Sequence, residues 1–153
     1  AQLRELIDLH KPSAVLCLGQ AEGRSEMTPE RIAINLDNAR IADNAGNQPL
    51  EQKINADGPD CYFSTLPIEK MVASMKAAGI PASISLSAGT FVCNHIFYVL
   101  QDYLKESSVK SGFMHMPLMD EQRREYPNLP TMPIRQMVAG VQISLDVLRV
   151  ETT

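Results

Sequence analysis

The run Ser-Leu-Ser-Ala-Gly-Thr-Phe-Val-Cys-Asn-His, Ser85 to His95, constrains this chain more than any other stretch. Behind Gly79-Ile80-Pro81, the residues Ala82 to Leu86 alternate small and apolar, the pattern of a short buried strand. Beyond it, Ile96, Val99, Leu100, Tyr103 and Leu104 recur at helical spacing as an apolar stripe. The small residues between form a tight turn, so Cys93 falls where a helix begins. A thiol there meets unpaired backbone N–H groups and the positive end of the helix dipole, and both favour thiolate over thiol. The ordinary alternative is a buried cysteine acting as a small hydrophobe. The strand-turn-helix setting is what separates Cys93 from that role.

With 153 residues, 44% hydrophobic and 21% charged, the chain has the make-up of one globular domain with a sizeable core. A formal charge of −4 and the lack of a basic cluster argue against nucleic acid. Apolar runs such as Ala14 to Leu18 stop at five residues, far short of a membrane span. The three cysteines, Cys17, Cys61 and Cys93, are odd in number and match no zinc spacing, so no metal is expected. Reduced thiols in a cytoplasmic protein fit them best. Burial in a strand accounts for Cys17 and Cys61.

Helices are expected over Ala1 to His10, from Pro67 with Ile68, Met71, Val72 and Met75 inward, and from Thr131 to Val150. Gly79 suits the C-terminal cap of the second. Strands are expected at Ala14–Leu18, from Pro29 with Ile32, Ile34 and Leu36 inward, at Cys61–Ser64 and at Val109–Met116. Asp37 to Pro59 reads as a long irregular excursion and Pro117 to Pro130 as a polar loop. Strands apolar on both faces, alternating with helices, imply a parallel or mixed sheet covered by helices. Ligands on such sheets bind outside the strand C-termini, here near Gly19–Arg24, Ser87–Val92 and the loop after Met116.

A cysteine nucleophile needs a base, and the base needs a group to orient it. His10 ends a helix. His95 lies roughly 200° round the axis from Cys93 and points away from it. His115 ends a predicted strand, on the ligand-binding edge of the sheet if that strand runs parallel to Ala82–Leu86, and is the best base. For the carboxylate, Glu30 stands before a strand, but spacing alone does not select it over Glu22 or Glu26.

Ser87-Ala88-Gly89-Thr90-Phe91-Val92-Cys93-Asn94 resembles the nucleophile motif of the pyroglutamyl-peptidase I, or pyrrolidone-carboxylate peptidase, family. Gly19-Gln20-Ala21-Glu22-Gly23-Arg24, continuing through Thr28-Pro29-Glu30-Arg31-Ile32-Ala33-Ile34-Asn35, is similar to its glutamate motif. Asp43 to Pro49 and Tyr62 to Pro67 also look like family segments, and the resemblance runs in order from about Ala14 to His115. It implies a three-layer α/β/α sandwich with a mixed, mostly parallel sheet. It implies a cysteine exopeptidase without cofactor that removes N-terminal pyroglutamate from peptides through an acyl-enzyme. Cys93 would be nucleophile, His115 general base and acid, and Glu30 the orienting carboxylate. By the same resemblance Arg40 would assist at the oxyanion, Ile41, Phe91 and Val92 would wall the pocket, and Gln20 would meet the lactam.

The resemblance also implies a homo-oligomer, dimer or tetramer. No counterpart of the family's opening strand and Phe-Gly-rich loop precedes Ala1, so the expectation is one peptidase domain, 1–153, lacking a strand and one side of the pocket. Met27 stands where the family motif usually carries a branched aliphatic residue. The alternative is a truncated, non-hydrolytic subunit of the same fold that packs against partners.

Overall fold

The computed structural model describes residues 2–151. In chain order the elements are α1 (Gln2–His10), β1 (Ala14–Gln20), β2 (Thr28–Pro29), β3 (Ile32–Ile34), β4 (Cys61–Phe63), α2 (Ile68–Ala77), α3 (Val92–Leu104), β5 (Lys110–Met116), β6 (Leu118–Met119), a 3₁₀ turn (Asp120–Arg124), β7 (Thr131–Met132) and α4 (Ile134–Glu151). The central sheet has the order β1-β5-β2. β1 and β5 pair in parallel over their full length, and β2 runs antiparallel to β5. Successive side chains on β1 and β5 serve opposite faces. Leu16, Met114 and Met116 pack with α2 and α4, whereas Val15, Cys17 and Phe113 pack with α1 and α3. Helices therefore cover both faces, and the fold is a three-layer α/β/α sandwich with a mixed sheet.

The expected strand Ala82–Leu86 is extended but makes only two isolated parallel bridges, Met27 to Ala82 and Glu30 to Ser85. Its hydrogen bonds explain the gap. Met27 N donates to the Pro81 carbonyl, Ser83 N to Met27, Ser85 N to Pro29 and Arg31 N to Ser85. A continuous ladder would also need the N–H of residue 29 to reach Ser83, and Pro29 has none. This segment runs parallel to β2, and hence antiparallel to β5.

The strand expected from Pro29 to Leu36 divides at Arg31. Before it, Glu30 N donates to the Phe113 carbonyl in the central sheet; after it, β3 leaves to pair with β4. The alternation is also opposite to expectation. Ala33 is fully buried, with Ile32 and Ile34 half-buried, because Ala33 lies beneath Phe97 and Tyr98 of α3 and only a small side chain fits there. The last helix begins at Ile134, not Thr131. Met132 precedes Pro133 and is held extended, so Thr131–Met132 pairs with Leu118–Met119 as β7 with β6. The expected loop 117–130 thus carries a strand and a helical turn. Asp37 to Pro59 is irregular, as expected, with one bridge from Asp37 to Gln52.

α2 buries Ile68, Met71, Val72 and Met75 as predicted, and Gly79 follows it with φ of 75°. On α3 the buried set is wider than the predicted stripe. Phe97 and Tyr98 are fully buried, Ile96 and Val99 only partly, because Phe97 meets Phe113 of β5 while Tyr98 meets Tyr62 of β4. Met27 is fully buried, and its sulfur occupies the space that a side chain at Gly140 of α4 would fill.

α3 is also held by a polar anchor. The buried Asn94 side chain accepts from Ile34 N at 2.9 Å and donates to the carbonyls of Ile34 at 2.9 Å and Leu36 at 3.0 Å. It completes backbone groups of β3 and fixes the first turn of α3 against them. Asn94→Ala strands three backbone groups, and at about 1 kcal/mol each it is expected to destabilise the protein by about 2–4 kcal/mol. Urea unfolding followed by far-UV circular dichroism measures this; a change below about 0.5 kcal/mol would mean that apolar contacts alone hold the helix.

Candidate active site

Cys93 is the second residue of α3. The preceding loop is built from short serine turns: Ser85 Oγ receives Ser87 N at 3.3 Å, and Ser87 Oγ receives Gly89 N at 3.1 Å. Gly89 then takes φ of 80°, which a side chain would resist, and the chain turns into the helix. Phe91 is the N-cap and offers no side-chain oxygen, so no side chain caps the first-turn N–H groups. They stay available around Cys93, which is half-buried and packs against the cluster of Phe97, Tyr98 and Phe113.

His115 lies on β5 two residues beyond Phe113, on the face that carries α3. The two rings tilt together with centroids 4.8 Å apart. His115 does not meet Cys93 by way of strand 82–86, which runs the opposite way to β5. They meet because α3 lies antiparallel to β1 and β5: Leu100 and Leu104 pack near Val15 and Val109, and Cys93 packs at the far end. Gly19, paired with His115 across the sheet, leaves room for the ring; a Cβ there would stand 3.3 Å from His115 Cδ2 and 2.7 Å from Phe113.

Glu30 has no exposed surface. Its Oε1 accepts from His115 Nδ1 at 2.7 Å, and the other side-chain partner of the imidazole is Cys93. Burial presses the His115 pKa down, but the hydrogen bonds to Cys93 and Glu30, with their charges, outweigh it and hold the imidazole above its ordinary value. The three residues read from the sequence therefore converge, with Nδ1 on the carboxylate and Cys93 beside the ring. By contrast, burial pushes the Cys17 thiol up, as suits a core cysteine. His95 is exposed and bonds Asp37 Oδ2 at 2.7 Å, pointing away from Cys93 as expected.

The predicted binding residues divide: Phe91 and Val92 flank Cys93, whereas the side chain of Gln20 leaves β1 on the Leu18 and Met116 face of the sheet, opposite His115. Phe91 and Val92 start α3, and Val92 is 51% exposed. Arg40 and Ile41 are exposed on the excursion, whose Asn38 is tied to Thr90 by Asn38 N to the Thr90 carbonyl at 2.7 Å and Thr90 Oγ1 to the Asn38 carbonyl at 2.9 Å. Gln20 ends β1, two residues further along the strand than its expected limit. Its amide exchanges hydrogen bonds with Gln122 at 2.7 and 3.1 Å and donates to the Pro117 carbonyl at 3.4 Å.

Sequence reasoning passed over Arg24. Its Nη1 donates to Thr28 Oγ1 at 2.8 Å, and its Nη2 donates to Glu30 Oε1 at 3.0 Å and to the Ser87 carbonyl at 3.2 Å. Nothing in its spacing from Glu30 announced this, because the chain doubles back between them.

The model of the pyroglutamyl peptidase family matches residues 1–151. The pyrrolidone-carboxylate peptidase of Cupriavidus taiwanensis is 50% identical over 144 residues, which cover 92% of this chain and 67% of that protein. That of Vibrio parahaemolyticus is 46% identical over 94% of this chain and 68% of its own length. Among solved structures, pyroglutamyl peptidase I of Bacillus amyloliquefaciens superposes with a TM-score of 0.95 at 42% identity, over 99% of this chain and 72% of that one. The pyrrolidone carboxyl peptidase of Thermococcus litoralis does so with a TM-score of 0.91 at 34% identity, over 95% and 70%. With a cysteine at a helix start beside a histidine and a buried glutamate, and with these likenesses over almost its whole length, the chain belongs to the pyroglutamyl peptidase family of cysteine peptidases.

Proposed function

We propose that this chain removes an N-terminal pyroglutamyl residue from peptides, with Cys93, His115 and Glu30 as its catalytic triad. The observation that carries the reading is the imidazole held between a half-buried thiol and a buried carboxylate. His115 takes the Cys93 proton through Nε2, and the sulfur attacks the carbonyl that joins the lactam ring to the next residue. As the tetrahedral adduct collapses, the C–N bond breaks and His115 gives its proton to the leaving amine. Water then adds to the thioester with His115 as base, and free pyroglutamate leaves as the thiol re-forms. Glu30 fixes the ring through Nδ1 and stabilises its charged form. The uncapped N–H groups at the start of α3 would receive the oxyanion, with Arg40 beside them.

Recognition of the lactam falls to the residues around Cys93. Its apolar ring edge would lie against Phe91, Val92 and Ile41. Its amide needs polar partners once water is gone. The Gln20 side chain is spent on Gln122 and Pro117 on the sheet face opposite His115, so backbone groups near Cys93 are left to pair the lactam amide.

Cys93→Ser and His115→Ala are each expected to lower kcat by at least about a thousandfold on a chromogenic pyroglutamyl amide, with melting curves near wild type. Glu30→Gln should cost less, about ten- to a hundredfold. Near-normal turnover in either of the first two variants would remove the triad. The pH dependence carries a separate prediction. Because His115 must be protonated to release the amine and its pKa is raised, the alkaline limb of kcat/KM should lie above about 6.5. Removing the negative partner lowers that pKa, so the limb should move to lower pH in Glu30→Gln; a limb that stays in place would show that the Glu30 charge does not reach the imidazole.

A further inference from the structure

We propose that Arg24 is a positioning residue of this site: it holds the Glu30 carboxylate aimed at His115 and ties it to the backbone of the loop that leads to Cys93. The inference rests on the triad reading and extends it by one residue. Glu30 has no exposed surface, and two of its partners, Arg24 and His115, share the single oxygen Oε1. Among the described residues its Oε2 finds no hydrogen-bond partner. What offsets the desolvation of this carboxylate is therefore concentrated on one atom, and Arg24 brings a full positive charge to it.

The guanidinium suits the task by its shape. One nitrogen reaches Thr28 Oγ1 while the other reaches both Glu30 and the Ser87 carbonyl. Thr28 Oγ1 in turn lies 3.4 Å from the His115 carbonyl oxygen. A single planar group thus joins the strand bearing the carboxylate, the strand bearing the imidazole and the loop leading to the nucleophile. Its side chain is 24% exposed, so solvent screens this pair less than one on the open surface. Among the described residues its hydrogen bonds go to Thr28, Glu30 and Ser87 and not to the His115 ring or Cys93, so its influence on the reaction passes through Glu30.

The test is a double-mutant cycle on the full chain with a chromogenic pyroglutamyl amide, using wild type, Arg24→Met, Glu30→Gln and the double variant, with the His115 ring followed by NMR. Arg24→Met is expected to lower kcat about tenfold with KM within about twofold, and to cost less than about twofold once Glu30 is already Gln. His115 should titrate higher in Arg24→Met, which loses a nearby positive charge, and lower in Glu30→Gln, which loses the negative one. Arg24→Lys keeps the charge without the fork and should recover part of kcat; if Arg24→Met does not fold, Arg24→Lys carries the same cycle with the same non-additivity expected. Equal losses in both Glu30 backgrounds, or a loss borne by KM, would overturn the role through Glu30 while leaving the triad standing. Wild-type turnover in Glu30→Gln would overturn the triad and this proposal together.

Discussion

A carboxylate with no exposed surface lies between a guanidinium and an imidazole, and much of the local chain geometry serves to keep it there. Taking a charged group out of water costs several kcal/mol even after the protein relaxes, so Glu30 is tolerable only with partners in place. That requirement shapes residues 24–31. Arg24 doubles back to reach a side chain six residues later. Thr28 supplies the hydroxyl that steadies it. Glu30 itself is fixed by backbone pairing on both sides, to Phe113 of β5 and to Ser85. The short strand here, broken by Pro29, is a compact way to bring one buried charge under two loops.

Cys93 is placed by a different kind of force. α3 is driven onto the sheet by burial of Phe97, Tyr98, Leu100 and Leu104, which sets its distance and tilt but tolerates sliding. Asn94 removes that freedom. Its side chain reads both an N–H and a carbonyl of Ile34 together with the Leu36 carbonyl, and a shift of about one residue would leave all three unpaired. His95 adds a tie to Asp37 on the outer side. Non-directional packing brings Cys93 close to His115, and directional hydrogen bonds settle where it stops.

These two mechanisms explain what the sequence could tell. Cys93 and His115 were legible because helix periodicity, a small-residue turn and a strand end are local patterns, and local patterns survive in a one-dimensional string. Glu30 was not, on spacing alone: Glu22 and Glu26 share its loop-like surroundings, and burial, the property that distinguishes it, is a tertiary fact. Its selection came from resemblance. Arg24 failed to register for the same reason, since a contact made by a chain that folds back has no period. The misread elements share a cause as well. The Ala82–Leu86 strand lost its ladder to a proline on its neighbour, and Thr131 was drawn out of the helix by Pro133, both effects exerted from outside the segment being read. The inverted alternation at Ala33 belongs here too, because the small residue faces inward only when a helix must approach closely.

The proposed chemistry and the proposed recognition occupy ground of contrasting rigidity. Glu30 and His115 sit on paired backbone within the sheet, where few conformations compete. Ile41 is 66% exposed and lies on an irregular segment, and Val92 is half exposed at a helix end. Apolar side chains left in water at the edge of a catalytic group gain when a ring covers them, at about 25 cal/mol for each Å² removed from solvent. A small lactam can supply only a few kcal/mol that way, so its binding has to be completed by polar partners for its amide. Such a division lets Ile41 adjust to a ring while Glu30 and His115 stay fixed on the sheet. The tie between Asn38 and Thr90 then matters in both directions: it keeps the recognising segment beside the nucleophile loop, and any movement of one on binding is felt by the other.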